Sequence, residues 1–388
     1  MKKGWQTKKL GEIYKIGSSK RVLQSQWKTE GVPFYRGREV TRLAADGFVD
    51  NELFISEEHF AELSKEYGVP KAGDIVITAI GTIGNSHVVR SADRFYFKDA
   101  SVLWMKRTAE VSSEFVNLWL KSPAFFDQLD RGNGATVDTL TIQKLQSVEI
   151  AVPPLAEQQR IVGLLDEGFE GLATAKANAE KNRQNARALF ESHLQSVFTQ
   201  GSQSAAEGRG PGWVEKSLGE TCEMYQPKTI GTKDLVPDGQ YPVFGANGVI
   251  GRYDKFNHDE PQLLVTCRGA TCGSVNISEP KSWITGNAMV VRPKDHALDL
   301  HFLEFVFRGG IDISAAITGA AQPQITRTNL SPLLIRFPKS VTEQTRLAEK
   351  FEDLTEETQR LARLYERKHA ALEALKKSLL HEAFTGLL

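Results

Sequence analysis

Residues that can read the edges of nucleic-acid bases occur in short glycine-containing segments of both halves of this chain. An arginine guanidinium fits guanine N7 and O6, amide side chains fit adenine, and glycine lets the backbone approach a ligand closely. The first half carries Tyr-Arg-Gly-Arg at 35–38 and a loop at 81–85, and the second carries Asn-Gly at 247–248 and Arg-Gly-Ala-Thr at 268–271. A glycine turn beside a solvated arginine is the commoner explanation of each segment alone. Their occurrence at matching places in both halves favours recognition of nucleic acid.

A basic run at the start of the chain adds two cations to the candidate set. The run from Met1 to Lys28 carries lysine and arginine against a single acid, Glu12. Such a run can lie along phosphates, although a solvated basic end explains it about equally well. The candidate DNA-contacting residues are Lys20, Arg21, Arg36, Arg38, Thr78, Gly81, Thr82, Gly84, Asn85, Asn247, Arg252, Arg268, Gly269, Thr271, Gln322 and Gln324.

The sequence lacks the common catalytic and cofactor-binding motifs. It contains no Gly-Lys-Ser/Thr phosphate loop, no Gly-x-Gly-x-x-Gly, no Asn/Asp-Pro-Pro-aromatic tetrapeptide and no Gly-x-Ser-x-Gly elbow. The nearest nuclease-like pattern, at 237–238 and 279–281, consists of ordinary proline turns that would disturb the strand of a metal site. His296 and His301 lie in a polar stretch, which is typical of surface histidines. We therefore expect no catalytic residue, no metal site and no bound cofactor.

The two halves of the chain repeat each other in order, which is the most informative feature of the sequence. A Gly-Trp and a Leu-Gly-Glu motif within 4–12 recur within 212–220. A Thr-x-x-Gly motif at 78–84 is echoed at 266–273, with one extra residue in the second copy. The offset between the halves changes along the chain because the connecting loops differ in length.

Each half closes with a segment that is predicted to form one long helix. A Glu-Gln-x-Arg motif at 157–160 recurs at 343–346, and the offset then stays constant, as expected of an element without insertions. Both segments, 153–200 and 339–388, begin at proline or just after it, contain no proline beyond that point and are rich in helix-forming residues. Apolar residues recur at alternating spacings of four and three, which predicts a coiled-coil seam.

We expect the two long helices to pair antiparallel, with small residues facing large ones. One register with this property places Gly168 opposite Leu372 and Ala179 opposite Leu361. Two separate surface helices that share ancestry are the alternative. The predicted residues of the helix-pair interface are Leu165, Leu172, Ala179, Asn182, Ala186, Leu354, Thr358, Leu361, Tyr365 and Leu372.

The segments before the helices differ from them in kind. Short β-rich runs between turn residues predict strands at Asp74–Thr78, Val102–Met105, Leu263–Val265 and Ala288–Arg292. The fold class is α+β, with two domains of mixed α/β structure joined and spaced by a long antiparallel two-helix coiled coil in a pseudo-two-fold internal repeat. The predicted segments are a first domain at 1–152, a first helix at 153–200, a flexible linker at 201–211, a second domain at 212–338 and a second helix at 339–388.

Composition limits the class of protein. The 388 residues are 40% hydrophobic, with 48 basic and 48 acidic side chains, so bulk charge alone would not hold nucleic acid. No stretch approaches the length of about 18 apolar residues that a membrane helix needs, and we expect a cytoplasmic protein. Cys222, Cys267 and Cys272 are odd in number and lack histidines at metal-ligand spacing, so free buried thiols are expected.

The whole chain resembles the specificity subunits of type I restriction-modification systems. Each half opens with Gly-Trp-x-x-x-x-Leu-Gly-Glu and closes with a proline-containing step into Glu-Gln-x-Arg and a long helix. The specific signature is Val-Pro-Pro-Leu-Ala-Glu-Gln-Gln-Arg-Ile at 152–161, and the second copy departs from it because Phe337-Pro338-Lys339 lacks the second proline.

The resemblance implies a protein without catalytic activity that acts through partners. Two target-recognition domains in opposite orientation would each read one half of an asymmetric double-stranded DNA site with an unspecified spacer. The implied partners are two methyltransferase subunits, which methylate adenine N6 using S-adenosylmethionine, and ATP-driven restriction (translocase) subunits. Neither of these cofactors would bind to this chain, and no membrane or small-molecule substrate is implied. A coiled-coil scaffold that binds only protein is the alternative, favoured by the neutral charge.

Overall fold

The chain folds into two compact units, and each unit takes segments from both halves of the sequence. The computed structural model describes residues 4–129, 139–206, 212–319 and 322–388. Unit 1 comprises Met1–Ala179 with Arg367–Leu388, and unit 2 comprises Glu180–Glu366. The two long helical segments are therefore shared between the units and do not form separate domains.

The first half of the chain forms helices and strands in a mixed order. Their bounds are β1 Gln6–Lys9, α1 Leu10–Ile13, β2 Tyr14–Gly17, β3 Val32–Tyr35, α2 Gly37–Asp46, β4 Phe54–Ile55, α3 Glu57–Glu66, β5 Ile75–Thr78, β6 Ser86–Val88, β7 Tyr96–Phe97, β8 Val102–Arg107, α4 Ser113–Leu120, α5 Pro123–Leu129, α6 Ile142–Ser147, β9 Glu149–Val152 and α7 Leu155–Ala206.

The second half follows a similar order, with a hairpin in place of α2 and no counterpart of α3 in the described residues. Its bounds are β10 Trp213–Ser217, α8 Leu218–Thr221, β11 Cys222–Tyr225, β12 Tyr241–Gly245, β13 Gly248–Tyr253, β14 Leu263–Thr266, β15 Val275–Ile277, β16 Trp283–Ile284, β17 Ala288–Pro293, α9 Leu300–Phe305, β18 Ile317–Thr318, β19 Gln324–Ile325, α10 Arg327–Leu330, β20 Leu334–Pro338 and α11 Val341–Thr385.

The two units share one sheet topology, which confirms the internal repeat. Unit 1 has a four-stranded sheet in the order β2-β8-β5-β6 and a three-stranded sheet in the order β4-β3-β7. Unit 2 repeats both, as β11-β17-β14-β15 and β13-β12-β16, and the first and last strands of each copy pair as β1-β9 and β10-β20. The four strands predicted from the sequence are the central pairs β5 and β8, and β14 and β17.

The repeated Leu-Gly-Glu motif forms a one-turn helix near the start of each repeat, and this helix packs against a later segment. Leu10 and Leu218 are fully buried. A side chain at Gly219 would meet the Ser331 carbonyl oxygen at 3.2 Å, which is tighter than most side-chain contacts, so glycine suits this close approach. The Glu220 carboxylate accepts the Ser217 N–H at 2.7 Å and caps the turn. The motif is therefore explained by packing and capping.

The repeated Glu-Gln-x-Arg motif fixes the start of each long helix to its unit. Gln158 is 2% exposed; its amide oxygen accepts the Ser112 N–H at 2.8 Å, and its amide nitrogen donates to the Pro153 carbonyl at 2.7 Å. Gln344 is fully buried and makes the same bonds to Asp299 and Pro338, both at 2.7 Å. Because Ser112 and Asp299 are the N-cap residues of α4 and α9, each glutamine joins two helix starts.

Each core is completed by the end of the other repeat's helix. In unit 1, Phe384 of α11 lies 5.2 Å from Phe115 of α4, measured between ring centroids. In unit 2, Phe198 of α7 lies 5.8 Å from Phe302, the equivalent residue of α9. Burying each phenylalanine stabilises the fold by about 1.5–3 kcal/mol, so neither unit is complete without both long helices.

The helices pair antiparallel in unit 1, but the predicted register is wrong by seven residues. A side chain at Gly168 would face Leu379 at 3.7 Å, rather than the predicted Leu372, and Lys176 forms an ion pair with Glu373. A shift of one heptad keeps the same seam residues facing inward, so volume matching could not separate the two registers. Burial of Phe384 in the core of unit 1 fixes the register instead.

Other predictions for the helices are partly corrected. Leu165, Leu172 and Ala179 are buried, and Ala186, Leu354, Thr358, Leu361, Tyr365 and Leu372 are half-buried. Asn182 is exposed, so it does not lie in a buried helix seam as predicted. α7 continues to Ala206, so the first part of the predicted linker is helical, since no proline interrupts it before Pro211. Residues 207–211 lie outside the described residues.

Replacing Gln344 by leucine should destabilise unit 2. Leucine keeps the volume but leaves the Asp299 N–H and the Ala297 and Pro338 carbonyls without their buried partner. We expect hydrogen-exchange protection in α9 and β20 to fall by about 2–4 kcal/mol, measured by mass spectrometry, with unit 1 unchanged.

The matched control is Arg346→Ala, which removes an exposed partner of Glu343 from the same motif. It should cost less than about 1 kcal/mol. Equal losses in the two variants would show that the glutamine is not the joint.

Candidate DNA interface

The loop between β5 and β6 in unit 1 is a tight, internally bonded turn. The Thr78 hydroxyl donates to the Thr82 carbonyl at 2.5 Å and accepts the Asn85 N–H at 3.0 Å. Gly81 and Gly84 adopt φ of +77° and +90°, which glycine reaches without steric cost. Thr78 is 1% exposed and Gly84 is buried. Their predicted DNA contacts are therefore corrected: both residues shape the loop from inside, whereas Gly81 and Thr82 are exposed.

The start of α2 carries two arginines held by one buried carboxylate. Glu39, which is 2% exposed, accepts Arg36 Nη2 at 2.8 Å and Arg38 Nε at 3.0 Å. Burial alone would raise the pKa of Glu39, but hydrogen bonds from Arg36 and Arg38 outweigh it and lower the pKa to about 2. The carboxylate therefore stays ionised at neutral pH, and its stabilising effect is lost only as the pH falls toward about 2.

The loop and α2 border an open basic cavity of about 480 Å³. Thr41 connects them, because its hydroxyl donates to the Gly37 carbonyl at 2.9 Å and accepts the Asn85 amide at 3.0 Å. Within the described part of the chain, neither Arg42 nor Lys98 on the cavity wall forms an ion pair. The lining is Arg36, Gly37, Arg38, Thr41, Arg42, Ile80, Thr82, Lys98 and Ser101.

Lys20 and Arg21 do not line this cavity. The exposed Arg21 Nε donates to Asp99 at 3.0 Å, and the Lys20 ammonium lies 5.4 Å from the centre of the Tyr67 ring. Their predicted DNA contacts remain a prediction for the surface beside it.

The equivalent hairpin of unit 2 brings together most of the residues predicted there. The Asn247 amide oxygen accepts the hydroxyls of Thr271 at 2.9 Å and Thr266 at 3.2 Å. Arg268 forms a β-bridge with Gln324, and the Gly269 N–H donates to the Pro323 carbonyl at 3.2 Å. The resulting surface exposes Asn247, Arg268, Gly269, Thr271, Gln322 and Gln324. It carries amide and hydroxyl groups around a single arginine.

Arg252 is the exception among the predicted residues of unit 2. Its guanidinium donates to the Gly239 carbonyl at 2.5 Å and to the Gln240 carbonyl at 2.7 Å. These bonds tie β13 to the preceding loop, so one edge of this arginine is already occupied.

The two units differ most in the connection between equivalent strands. In unit 1, α2 lies between β3 and β4, and it carries Arg36, Arg38 and Arg42 at or near its first turns. In unit 2, β12 and β13 are joined by the two-residue turn Ala246-Asn247. Equivalent frames therefore present an arginine-rich helix in one unit and a short amide-bearing turn in the other.

Sequence reasoning missed the residues that complete the cavity of unit 1. Thr41, Arg42 and Lys98 belong to no motif, and only the fold places them together. Glu39 did carry a signal, because a glutamate at the third position of a helix often caps its first residue, and Glu39 accepts the Arg36 N–H at 2.9 Å.

The described residues give no indication of a metal site or a membrane span. They contain no group of three or more His, Cys, Asp or Glu side chains arranged to hold a metal ion. No helix among them combines the length and the apolar character needed to cross a membrane. The three cysteines are free, and Cys272 is only half-buried, so the prediction of buried thiols holds for Cys222 and Cys267 alone.

The chain belongs to the family of type I restriction modification DNA specificity domains, whose model matches residues 2–181 and 211–366. The two matches coincide with the two copies of the repeat. Family membership therefore agrees with the duplicated sheet topology.

Curated proteins similar to this chain carry names from the same family. A Haemophilus influenzae protein named as the type I restriction enzyme specificity subunit S.HindORF215P is 32% identical over 167 residues, which are 43% of this chain and 40% of that protein. The EcoprrI specificity subunit of Escherichia coli is 26% identical over 217 residues, or 54% and 52% of the two chains. The chain thus spans about half the length, or less, of the curated relatives it matches.

Solved structures share the fold over nearly the full length. A chain from a study of complex assembly and conformational transition of the type I R-M system has a TM-score of 0.78 and 18% identity, covering 99% of this chain and 98% of that one. The HsdS subunit of Thermoanaerobacter tengcongensis has a TM-score of 0.64 and 19% identity, covering 100% and 98%. These likenesses confirm the mixed α/β fold with two long helices.

Two glycines near the candidate surface of unit 2 should respond differently to substitution by alanine. Gly269 and Gly319 have nearly equal φ, +86° and +85°, but a side chain at Gly319 would lie 2.6 Å from the Gln322 carbonyl oxygen, whereas nothing lies within 4 Å at Gly269. Gly269→Ala should cost about 1–2 kcal/mol through backbone strain alone. Gly319→Ala should cost about 1–3 kcal/mol more, as measured by urea unfolding. Equal costs would contradict the packing of this loop.

Proposed function

We propose that this protein is the DNA-specificity subunit of a type I restriction-modification complex and has no catalytic activity of its own. Each unit reads one half of an asymmetric, bipartite double-stranded site in the cytoplasm. The bound partners are two adenine-N6 methyltransferase subunits and the restriction subunits, which carry S-adenosylmethionine and ATP chemistry respectively. Membership of the specificity-domain family supports this proposal.

The observation that carries the proposal is the same loop presented twice with different side chains. The β5–β6 and β14–β15 hairpins occupy equivalent places in two equivalent sheets. Arginine, lysine and threonine surround the first, and amides with Arg268 surround the second. An enzyme that repeats a fold keeps its reacting groups, whereas a reader of two different sequences keeps the frame and changes the contacting groups. A scaffold that binds only protein would not need this pairing.

Selection from a random duplex library tests the proposal directly. The full chain, purified with the methyltransferase that accompanies it, should enrich a motif of two short specified halves separated by an unspecified spacer. Enrichment by length or base composition alone, from a complex shown to bind S-adenosylmethionine, would overturn the proposal in favour of the scaffold.

Arg268→Ala should relax specificity at one base pair of one half-site. Arg268 is exposed and makes no ion pair within the described residues, so its guanidinium is free to contact a base. If it reads guanine, discrimination at that position should fall by about 1–3 kcal/mol in competition binding with single-substitution duplexes. A uniform loss over all sequences would make Arg268 a phosphate contact instead.

We further propose that the paired helices set the spacer length. Four residues added to each helix at facing positions, after Lys176 in α7 and before Glu373 in α11, add about 6 Å of rise and rotate the continuing helix by about 40°. One to two base pairs of DNA span about 3.4–6.8 Å, with a rotation of about 36° each.

The insertion variant should therefore select a spacer that is one or two base pairs longer, with both half-sites unchanged. The control is the same insertion in α7 alone, which breaks the facing register and should abolish selection. An altered half-site sequence in the double insertion would contradict the role of the helices as a spacer.

A further inference from the structure

Glu39 stands out because a buried carboxylate is saturated by hydrogen bonds from the residues that a DNA reader would use for recognition. Its two oxygens accept four hydrogen bonds: from the Arg36 N–H at 2.9 Å, Arg36 Nε at 3.1 Å, Arg36 Nη2 at 2.8 Å and Arg38 Nε at 3.0 Å. A carboxylate has about four lone-pair positions, so its accepting capacity is used. Glu39 therefore has no lone pair left to accept a hydrogen bond from a ligand, and it can act on a ligand only by orienting the two arginines.

The bonds to Glu39 leave Nη1 of each guanidinium open. Arg36 uses Nε and Nη2 on Glu39, and Arg38 uses Nε on Glu39 and Nη2 on Glu52 at 2.7 Å. Nη1 of both arginines makes no hydrogen bond within the described part of the chain. The end edge of a guanidinium, formed by Nη1 and the outer hydrogen of Nη2, is a fork of two parallel donors. Arg36 leaves this edge open, and Arg38 shares it at most with the exposed Glu52. This fork matches guanine N7 and O6.

The arginine pair is held on a rigid support. Thr41, in the next turn of α2, connects the helix to the β5–β6 loop through Asn85 at 3.0 Å. A side chain at Gly37 would lie 3.8 Å from the carbonyl oxygens of Ile80 and Ser101, so the first turn of α2 sits directly on the loop. Arg36 and Arg38 are 28% and 48% exposed and face the basic cavity. A preoriented fork loses less rotamer entropy when it binds a base than a free arginine does.

We propose that Glu39 is a positioning residue that orients Arg36 and Arg38 to read guanine in the half-site of unit 1. This inference rests on the proposed function and deepens it, because it assigns guanine to the α2 surface. Arg38, the more exposed of the two, makes the principal contact. Arg42 and Lys98, which form no ion pair within the described residues, contact phosphate on either side.

The test compares Glu39→Gln with wild type in the full chain bound to its methyltransferase. The ligands are duplexes that carry the selected site with one base pair changed at each specified position, titrated at two potassium chloride concentrations. Glutamine keeps the shape of glutamate but removes the charge that orders the guanidinium groups. We expect discrimination at one G·C pair of a single half-site to fall at least about tenfold, with the other half-site unchanged.

The salt dependence separates base reading from phosphate contact. Removing a buried carboxylate adds net positive charge, so affinity for non-cognate duplexes should stay equal or rise, and the slope of affinity against salt should not become shallower. Loss of affinity for every duplex together with a shallower slope would overturn the inference, because it would make the arginines phosphate contacts. Unchanged discrimination at every position would overturn it as well.

Two further variants keep the test decisive. Glu52→Gln removes the exposed second partner of Arg38 and should change discrimination by less than about twofold, since Glu39 still holds Nε. Arg38→Lys retains the charge without the fork and leaves the core intact, so it should lose the same G·C preference even where Glu39→Gln folds poorly. If the wild-type complex shows no sequence preference, the proposed function fails. If the wild-type complex shows a preference and the variants retain it unchanged, this inference alone fails.

Discussion

A buried glutamine at the start of each long helix is the interaction on which the arrangement within each unit depends. Gln158 and Gln344 each join a long helix to the N-cap of a second helix, α4 or α9, by hydrogen bonds of 2.7–2.8 Å. Because both glutamines are buried and their bonds are directional, the bonds fix the orientation of the helix as well as its position. The spacer function proposed for the helices requires such a joint, because a mobile attachment between a unit and its helix would allow many spacer lengths.

The same frame supports two different candidate surfaces. The sheets and caps around the joints are duplicated, although the connection between β3 and β4 differs from that between β12 and β13. This connection contains a ten-residue helix in unit 1, whereas β12 and β13 of unit 2 are joined by the two-residue turn Ala246-Asn247. The frame is thus common to both units, and the connection is the segment that we propose to carry specificity. In unit 1 this connection contains a buried carboxylate, Glu39, which holds two arginines at the surface.

The sequence predicted the frame better than the site. The central strands were detectable because β5 and β14 are fully buried and read as continuous apolar runs. The long helices were evident from their constant offset, but their register was not, because a heptad shift preserves the seam and the packing of Phe384 decides between the alternatives. Loop residues such as Arg268 were found by comparing the halves. Arg42 and Lys98 were missed, because tertiary contacts alone bring them to one cavity.

The measurement that tests the central claim most directly is a map of N6-methyladenine in a host genome that expresses the methyltransferase with this chain, with the methyltransferase alone, and with a chain whose residues 212–338 come from another family member. The account predicts methylation at one bipartite motif only when both proteins are present. The exchange should alter one half of that motif and preserve the other half and the spacer. Methylation at the same motif without this chain, or a change in both halves after the exchange, would contradict the account.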